Sequence, residues 1–183
     1  AGETSRQAIA RDLNLRYGAR VAAEDLFIGC GAAPELVSVI RALAVEGSEF
    51  IAVAPFFPEY RPFVESSGGK LVVVPADIPN FQIDFAALES ALNRSTQAII
   101  LNSPNNPAGT VYTAETLEKL AALLERKGAE FGKTIYIIAD EPYRELVYGG
   151  VTAPWIPGIY ANTIVCYSWS KSLSLPGERI GYV

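Results

Sequence analysis

The run Tyr167-Ser168-Trp169-Ser170-Lys171-Ser172 directly follows the apolar stretch Ile164-Val165-Cys166, and Arg179 comes eight residues after the lysine. A lysine at the end of a buried strand, flanked by hydroxyls and followed by an arginine, is poorly placed as a solubilising charge. It is well placed as a nucleophilic amine beside an anion site. The chain has no histidine and two cysteines, so the commonest general base is missing and soft nucleophiles are scarce. Chemistry in this chain therefore points first to Lys171. The structural alternative is a surface lysine whose stem packs on apolar neighbours.

Four other segments carry residues of the same kind. Gly29-Cys30-Gly31-Ala32-Ala33-Pro34 is a small-residue turn opening a helix, where free backbone N–H groups and the positive helix end suit a phosphate. Tight packing of helix on sheet explains the glycines equally well. The dinucleotide fingerprint GxGxxG is half met, because Pro34 holds the third glycine position. Pro55-Phe56-Phe57-Pro58-Glu59-Tyr60 offers aromatic faces, as core or as a ligand platform. Asn102-Ser103-Pro104-Asn105-Asn106-Pro107-Ala108-Gly109 is rich in turn formers and can present a fixed amide. Asp140-Glu141-Pro142-Tyr143 puts a carboxylate straight after Ile137-Ile138-Ala139, where it needs a partner or serves as a helix cap.

The elements that must position these residues alternate strand and helix. Helical spacing covers 5–17, with Ile9, Leu13 and Tyr17 on one face and Gly18 as a stop. It returns over 33–46, over Pro58–Ser66, over 85–93 behind Asp84 as cap, over 114–127 behind Thr113, and in a turn around Glu141–Leu146. Strands are expected at 26–28, 50–54, 71–74, 98–101, 135–139 and 163–166, with 179–183 as a seventh. The longer ones are continuous β-branched runs, so both of their faces should be buried. This alternation predicts a three-layer α/β/α fold around a mostly parallel seven-stranded sheet. Ligands in such sheets lie at the carboxyl ends of the strands, and all five segments fall there.

Composition sets the limits. Of 183 residues, half are hydrophobic and 19% charged, which describes one folded domain. The net charge of −5 gives no electrostatic reason to expect nucleic acid or an anionic membrane. No apolar run approaches a membrane span, and the opening Ala-Gly-Glu-Thr-Ser-Arg is not expected to be a signal peptide. Cys30 and Cys166 are expected to be reduced core thiols in a reducing, cytoplasmic compartment. The chain starts without methionine, directly in a helical pattern, and stops at a strand-like Ile180-Gly181-Tyr182-Val183. It reads as the core of something longer.

Taken together, the runs Cys30–Ala33, Pro55–Tyr60, Asn102–Gly109, Asp140–Tyr143 and Ser168–Gly181 resemble, in order and across nearly the whole chain, the pyridoxal-phosphate aminotransferases of fold type I, class I/II. This is the group that includes aspartate aminotransferase. The resemblance implies that Lys171 holds pyridoxal 5'-phosphate as a Schiff base and then moves the substrate α-proton. It implies that Asp140 pairs with the pyridine nitrogen, that Tyr143 and Asn106 bond the ring oxygen, and that Phe57, rather than Phe56 or Tyr60, stacks on the ring. Ser168, Ser170 and Arg179, with Gly31 and the backbone N–H groups of Ala32 and Ala33, would hold the phosphate.

The same resemblance implies an amino acid and a 2-oxo acid as substrates and a homodimer in the full-length form. The family's substrate-carboxylate arginine lies in a small domain beyond Val183, and the segment covering the site, with a partner-subunit contact to the phosphate, precedes Ala1. Residues 1–183 are thus expected to be a single cofactor-binding large-domain core. A non-catalytic cofactor-binding or assembly fragment is the competing expectation.

Overall fold

The β-branched runs pair side by side in the computed structural model, which describes residues 2–183. The first half of the chain contributes α1 (Glu3–Tyr17), β1 (Ile28–Gly29), α2 (Ala32–Leu43), β2 (Glu49–Val53), α3 (Tyr60–Glu65) and β3 (Lys70–Val74). A two-stranded ribbon, β4 (Ala76–Asp77) and β5 (Gln82–Ile83), leads into α4 (Phe85–Ala91) and β6 (Thr96–Asn102). Then come α5 (Ala114–Phe131), β7 (Tyr136–Asp140), α6 (Ile156–Ile159), β8 (Thr163–Ser168), α7 (Trp169–Ser172) and β9 (Gly181–Tyr182).

Seven strands form one sheet in the order β1-β9-β8-β7-β6-β2-β3. The block from β8 to β3 is parallel, and β9 runs antiparallel to both β8 and β1. The mostly parallel seven-stranded sheet is therefore present. From β2 the chain steps outward to β3, returns across β2 to β6, and then moves on the other way through β7 and β8. The direction of winding reverses between β2 and β6, which is where open α/β sheets form their crevice.

Strand alternation divides the core into two layers. Ile51, Val53, Ile99, Leu101, Ile137 and Ala139 face Leu117, Leu120 and Leu124 of α5 and Leu88 of α4. Phe50, Ala52, Ala98, Ile100, Ile138 and Cys166 face Leu36, Val39 and Ile40 of α2 and Tyr60 and Val64 of α3. Burial on both faces is why these strands lack an alternating pattern. Ala10 and Leu13 of α1 add a smaller cluster with Leu26, Tyr167 and Tyr182. The side chains of Asp84 and Thr113 cap α4 and α5 as expected, accepting from the N–H groups of Ala87 and Thr116.

Several boundaries differ from expectation, each for a local reason. Helix α2 stops at Leu43, not 46, because Ser48 folds back to bond both backbone groups of Val45. Helix α5 runs past Gly128 to Phe131 and ends on left-handed Gly132; the Lys133 N–H then returns to the Gly128 carbonyl at 3.0 Å. Gly128 leaves the room for that return, since a Cβ there would lie 2.8 Å from the Lys133 oxygen. The expected strand at 26–28 shrinks to Ile28–Gly29 at the sheet edge, although Phe27 still exchanges two backbone bonds with Val183. The segment after Asp140 is a turn with no helix, so Asp140 is the last residue of β7 and not a cap. Cys166 is buried as expected, whereas Cys30 is exposed and is not a core thiol.

Candidate functional site

In-register pairing aligns the strand ends at the site: Asn102 of β6 sits opposite Asp140 of β7, and Asp140 opposite Cys166 of β8. Above them lies a cleft of about 330 Å³. Lys171, Asp140, Tyr143, Asn106, Phe57, Ser168, Ser170, Arg179, Ala32 and Ala33 all line it. Of the residues to which the resemblance gives a role at the cofactor, Gly31 alone lies outside its wall. Leu36, Asn102 and Pro142 complete the lining.

Asp140 is buried at the floor. Its Oδ2 accepts a 2.6 Å hydrogen bond from the phenol of fully buried Tyr60, while Oδ1 has no partner. Burial pushes this carboxyl up to about 7; the Tyr60 bond works against the rise and nearby Glu141 adds to it. Tyr60 therefore lies under the site as a donor to Asp140, and Phe57, touching Tyr60 edge-on at 5.7 Å between centroids, is the aromatic exposed to the cleft. Phe56 stacks parallel to the Tyr60 ring.

Asn102 ties two strand ends together. Its Nδ2 donates to the Asp140 carbonyl at 2.8 Å, and its Oδ1 accepts from the Asn106 N–H at 2.6 Å. Asn105 pins the same loop to the end of β2 through the Pro55 carbonyl at 3.3 Å. Asn106 is thereby held beside Tyr143, whose phenol is raised by burial and by Asp140, with Asn106 opposing.

At the other end of the cleft, Gly31 starts α2 at φ 101°, a conformation that favours glycine, and no side chain caps the helix. The first-turn N–H groups of Ala32 and Ala33 are thus left without a side-chain acceptor. A Cβ on Gly31 would come within 2.8 Å of the Arg179 guanidinium, so the glycine makes room for the arginine. Arg179, itself left-handed at φ 49°, donates to Ser170 Oγ at 3.4 Å and to the Pro176 carbonyl at 3.3 Å. Ser168 is buried and its hydroxyl accepts from the Ser170 N–H at 3.1 Å. Lys171 is exposed in this cleft, one turn beyond the end of β8.

Sequence reasoning did not assign Tyr60 or Asn102 their bonds to Asp140. Both stand in runs that it had marked, but the signal lay in pairing across the sheet.

This fold and this strand-end cleft define a class. The family model for aminotransferase class I and II matches residues 3–183, and the chain belongs to that family. It is 34% identical over 177 residues to an aspartate aminotransferase of Bacillus sp. (strain YM-2), covering 94% of this chain and 43% of that protein. It is 33% identical over 181 residues to a probable aspartate/prephenate aminotransferase of Thermus aquaticus, covering 97% and 45%. Among solved structures, an amino transferase from Eubacterium rectale superposes with a TM-score of 0.98 at 54% identity, covering all of this chain and 46% of that one. The aspartate aminotransferase of Thermus thermophilus with maleate gives 0.88 at 30% identity, covering 98% and 46%. The chain spans less than half the length of these relatives.

Members of the family use pyridoxal 5'-phosphate. Three features of the cleft suit such a group. A buried carboxylate oxygen lacks a partner, which suits a ring N–H. An uncapped helix start and an arginine accommodated by Gly31 suit a phosphate.

Proposed function

We propose that the chain is the pyridoxal-phosphate-binding large-domain core of an aminotransferase that moves an amino group between an amino acid and a 2-oxo acid. The observation that carries this reading is Asp140, buried with one oxygen held by Tyr60 and the other free, in the same cleft as Lys171 and an anion cradle. A free buried carboxylate oxygen is costly unless something meets it.

Pyridoxal 5'-phosphate, when bound, supplies an aldehyde that combines with amines and a ring that draws electrons from the substrate Cα. Lys171 is the amine that would hold it, and the same Nζ would take and return the Cα proton, doing the work of the absent histidine. Asp140 Oδ1 would accept the ring N–H, and its negative charge would keep that nitrogen protonated. Tyr143 and Asn106 would donate to the ring oxygen, and Phe57 would cover one ring face. Ser168, Ser170, Arg179 and the N–H groups of Ala32 and Ala33 would hold the phosphate.

The aspartate-like relatives favour a dicarboxylic amino acid as one substrate. A homodimer, a small domain completing the substrate site, and a cytoplasmic setting belong to the same proposal. Among the described residues no helix is long and apolar enough to cross a membrane.

An absorption spectrum with added pyridoxal 5'-phosphate, before and after borohydride, tests the reading. The wild-type chain should trap cofactor covalently at Lys171, and Lys171→Ala should trap none. Trapping at another lysine, or none in the wild type, overturns it. Loss of the visible band on adding an amino acid would show that the chain also carries out a half-reaction; an unchanged band would leave the cofactor-binding fragment as its role.

A further inference from the structure

Glu35 takes no part in the roles above, yet it lies against the anion end of the cleft. It stands one turn into α2, is 5% exposed, and neither of its carboxylate oxygens has a hydrogen-bond partner. Glycines make the space it fills. A Cβ at Gly29 would lie 2.6 Å from Oε1, and one at Gly181 would lie 2.9 Å from Oε2. That Gly181 position is also 2.9 Å from the Cα of Gly31, the residue that accommodates Arg179. The chain thus gives up side chains around a buried acid next to the place where a phosphate dianion would be held.

Two negative groups in that space oppose each other; one proton neutralises the carboxylate outright, whereas a phosphate dianion that took it up would still carry a charge. We propose that Glu35 is a positioning residue of the anion cradle, whose carboxylate takes up one proton from solvent as the phosphate group binds. The proposal rests on the reading that the cleft takes a phosphate ester. Without the anion, the ionised acid draws on Arg179 through space and helps to keep the guanidinium over Gly31. With the anion in place, Arg179 turns its charge to the phosphate and Glu35 becomes a neutral carboxyl.

The surroundings support such a change. Burial already pushes the Glu35 carboxyl up to about 7; the N–H groups of Gly29 and Gly31, which lie near it without reaching hydrogen-bond geometry, and the charge of Arg179 oppose the rise. From β8 it faces Cys166, whose thiol burial holds neutral; the charges of Asp140, Glu35 and Glu141 add to that. From β7 comes Asp140, which is bonded to Tyr60 of α3. Tyr182 of β9 is engaged with Arg144, and β1 brings no ionisable side chain.

Calorimetric titration with pyridoxal 5'-phosphate at about pH 8, in buffers of different ionisation enthalpy, counts the protons taken up. The wild-type chain should take up about one proton more than Glu35→Gln, and its affinity should fall up to about tenfold more per pH unit above neutrality. Pyridoxal without its phosphate should show no such difference. A purely shape-filling glutamate would not move these readouts, because glutamine keeps the shape.

Equal proton uptake by two proteins that both bind the cofactor overturns the proposal and leaves the functional reading standing. A wild-type chain that binds no pyridoxal 5'-phosphate removes both. Should Glu35→Gln fail to fold, infrared difference spectra of the ¹³C-glutamate-labelled wild type decide instead. A new protonated-carboxyl band on binding supports the proposal, and its absence overturns it.

Discussion

In the role proposed for it Asp140 acts as an anion, although burial favours its acid form. Its carboxyl is raised from 3.8 to about 7 in the folded chain, so the folded state binds that proton more tightly than the unfolded one. The stabilisation from this group is complete below about pH 4 and is lost as the pH climbs through about 7. Asp140→Asn removes the titration and keeps an oxygen for the Tyr60 phenol. The cofactor-free variant should therefore melt above the wild type at about pH 8, by the equivalent of a few kcal/mol, and close to it at about pH 4. A variant that melts lower at the alkaline end would show that the acid is not the strained member of the site. On the proposed reading, Asp140→Asn should also cut any transamination by orders of magnitude, because the ring nitrogen would lose its counter-ion. Much at this scale was legible: Lys171, Asp140, Asn106, Tyr143, Phe57 and Arg179 are chemistry-bearing types at strand ends. Tyr60 was not, because its bond to Asp140 joins residues eighty apart in sequence, and an aromatic in a buried run reads as core. Glu35 was hidden for a similar reason, since an acid in the first turn of a helix reads as ordinary complement to the helix dipole.

At the scale of elements, the central strands of the main sheet were legible, because both-face burial leaves uninterrupted β-branched runs, whereas the two-residue edge strands β1 and β9 were placed only approximately. The sequence pattern overextended α2 and cut α5 short. Ends are decided by local bonds, such as Ser48 to Val45, and by where the chain must turn back. The β4–β5 ribbon and the four-residue α6 and α7 are too short to show a period. Gly31 is where element geometry and site meet. Its φ of 101° starts α2, and its missing Cβ admits Arg179. Gly31→Ala should strain the turn by about 1–3 kcal/mol and push the flexible guanidinium aside without unfolding the chain. Spectral titration should then show pyridoxal 5'-phosphate binding weakened by roughly tenfold or more, equivalent to about 1.4 kcal/mol, with phosphate-free pyridoxal little affected. Equal losses for both ligands would mean that the helix start, and not the phosphate contact, had been damaged.

Across the whole molecule, the question is what fastens the first helix to a sheet whose centre is built from the rest of the chain. Arg144 provides the answer. It pairs with Glu141, donates to the Tyr182 hydroxyl at 3.0 Å, and lies over the rings of Tyr17, Trp155 and Tyr167 at 5.4, 5.0 and 4.7 Å. Burial works against its charge, and Glu141, Tyr182 and Tyr17 together more than offset that, so its proton is held more firmly than in a free arginine. These partners come from α1, the turn after β7, the segment before α6, β8 and β9. The helical face of Ile9, Leu13 and Tyr17 was legible in the sequence, but the object it docks on was not, since no local pattern gathers five separated segments around one guanidinium. Arg144→Met would leave Glu141 as an unpaired buried charge, a change worth about 3–5 kcal/mol of stability. Chemical denaturation should show that loss, and hydrogen exchange should show α1 amides opening well before those of β6 and β7. Adding Glu141→Gln should restore part of the stability, because the unpaired charge is then gone while the aromatic cage is still filled. A single variant that costs less than about 1 kcal/mol, or one whose α1 stays as protected as the sheet, would show that apolar contacts through Ala10 and Leu13 hold the helix without help from the arginine.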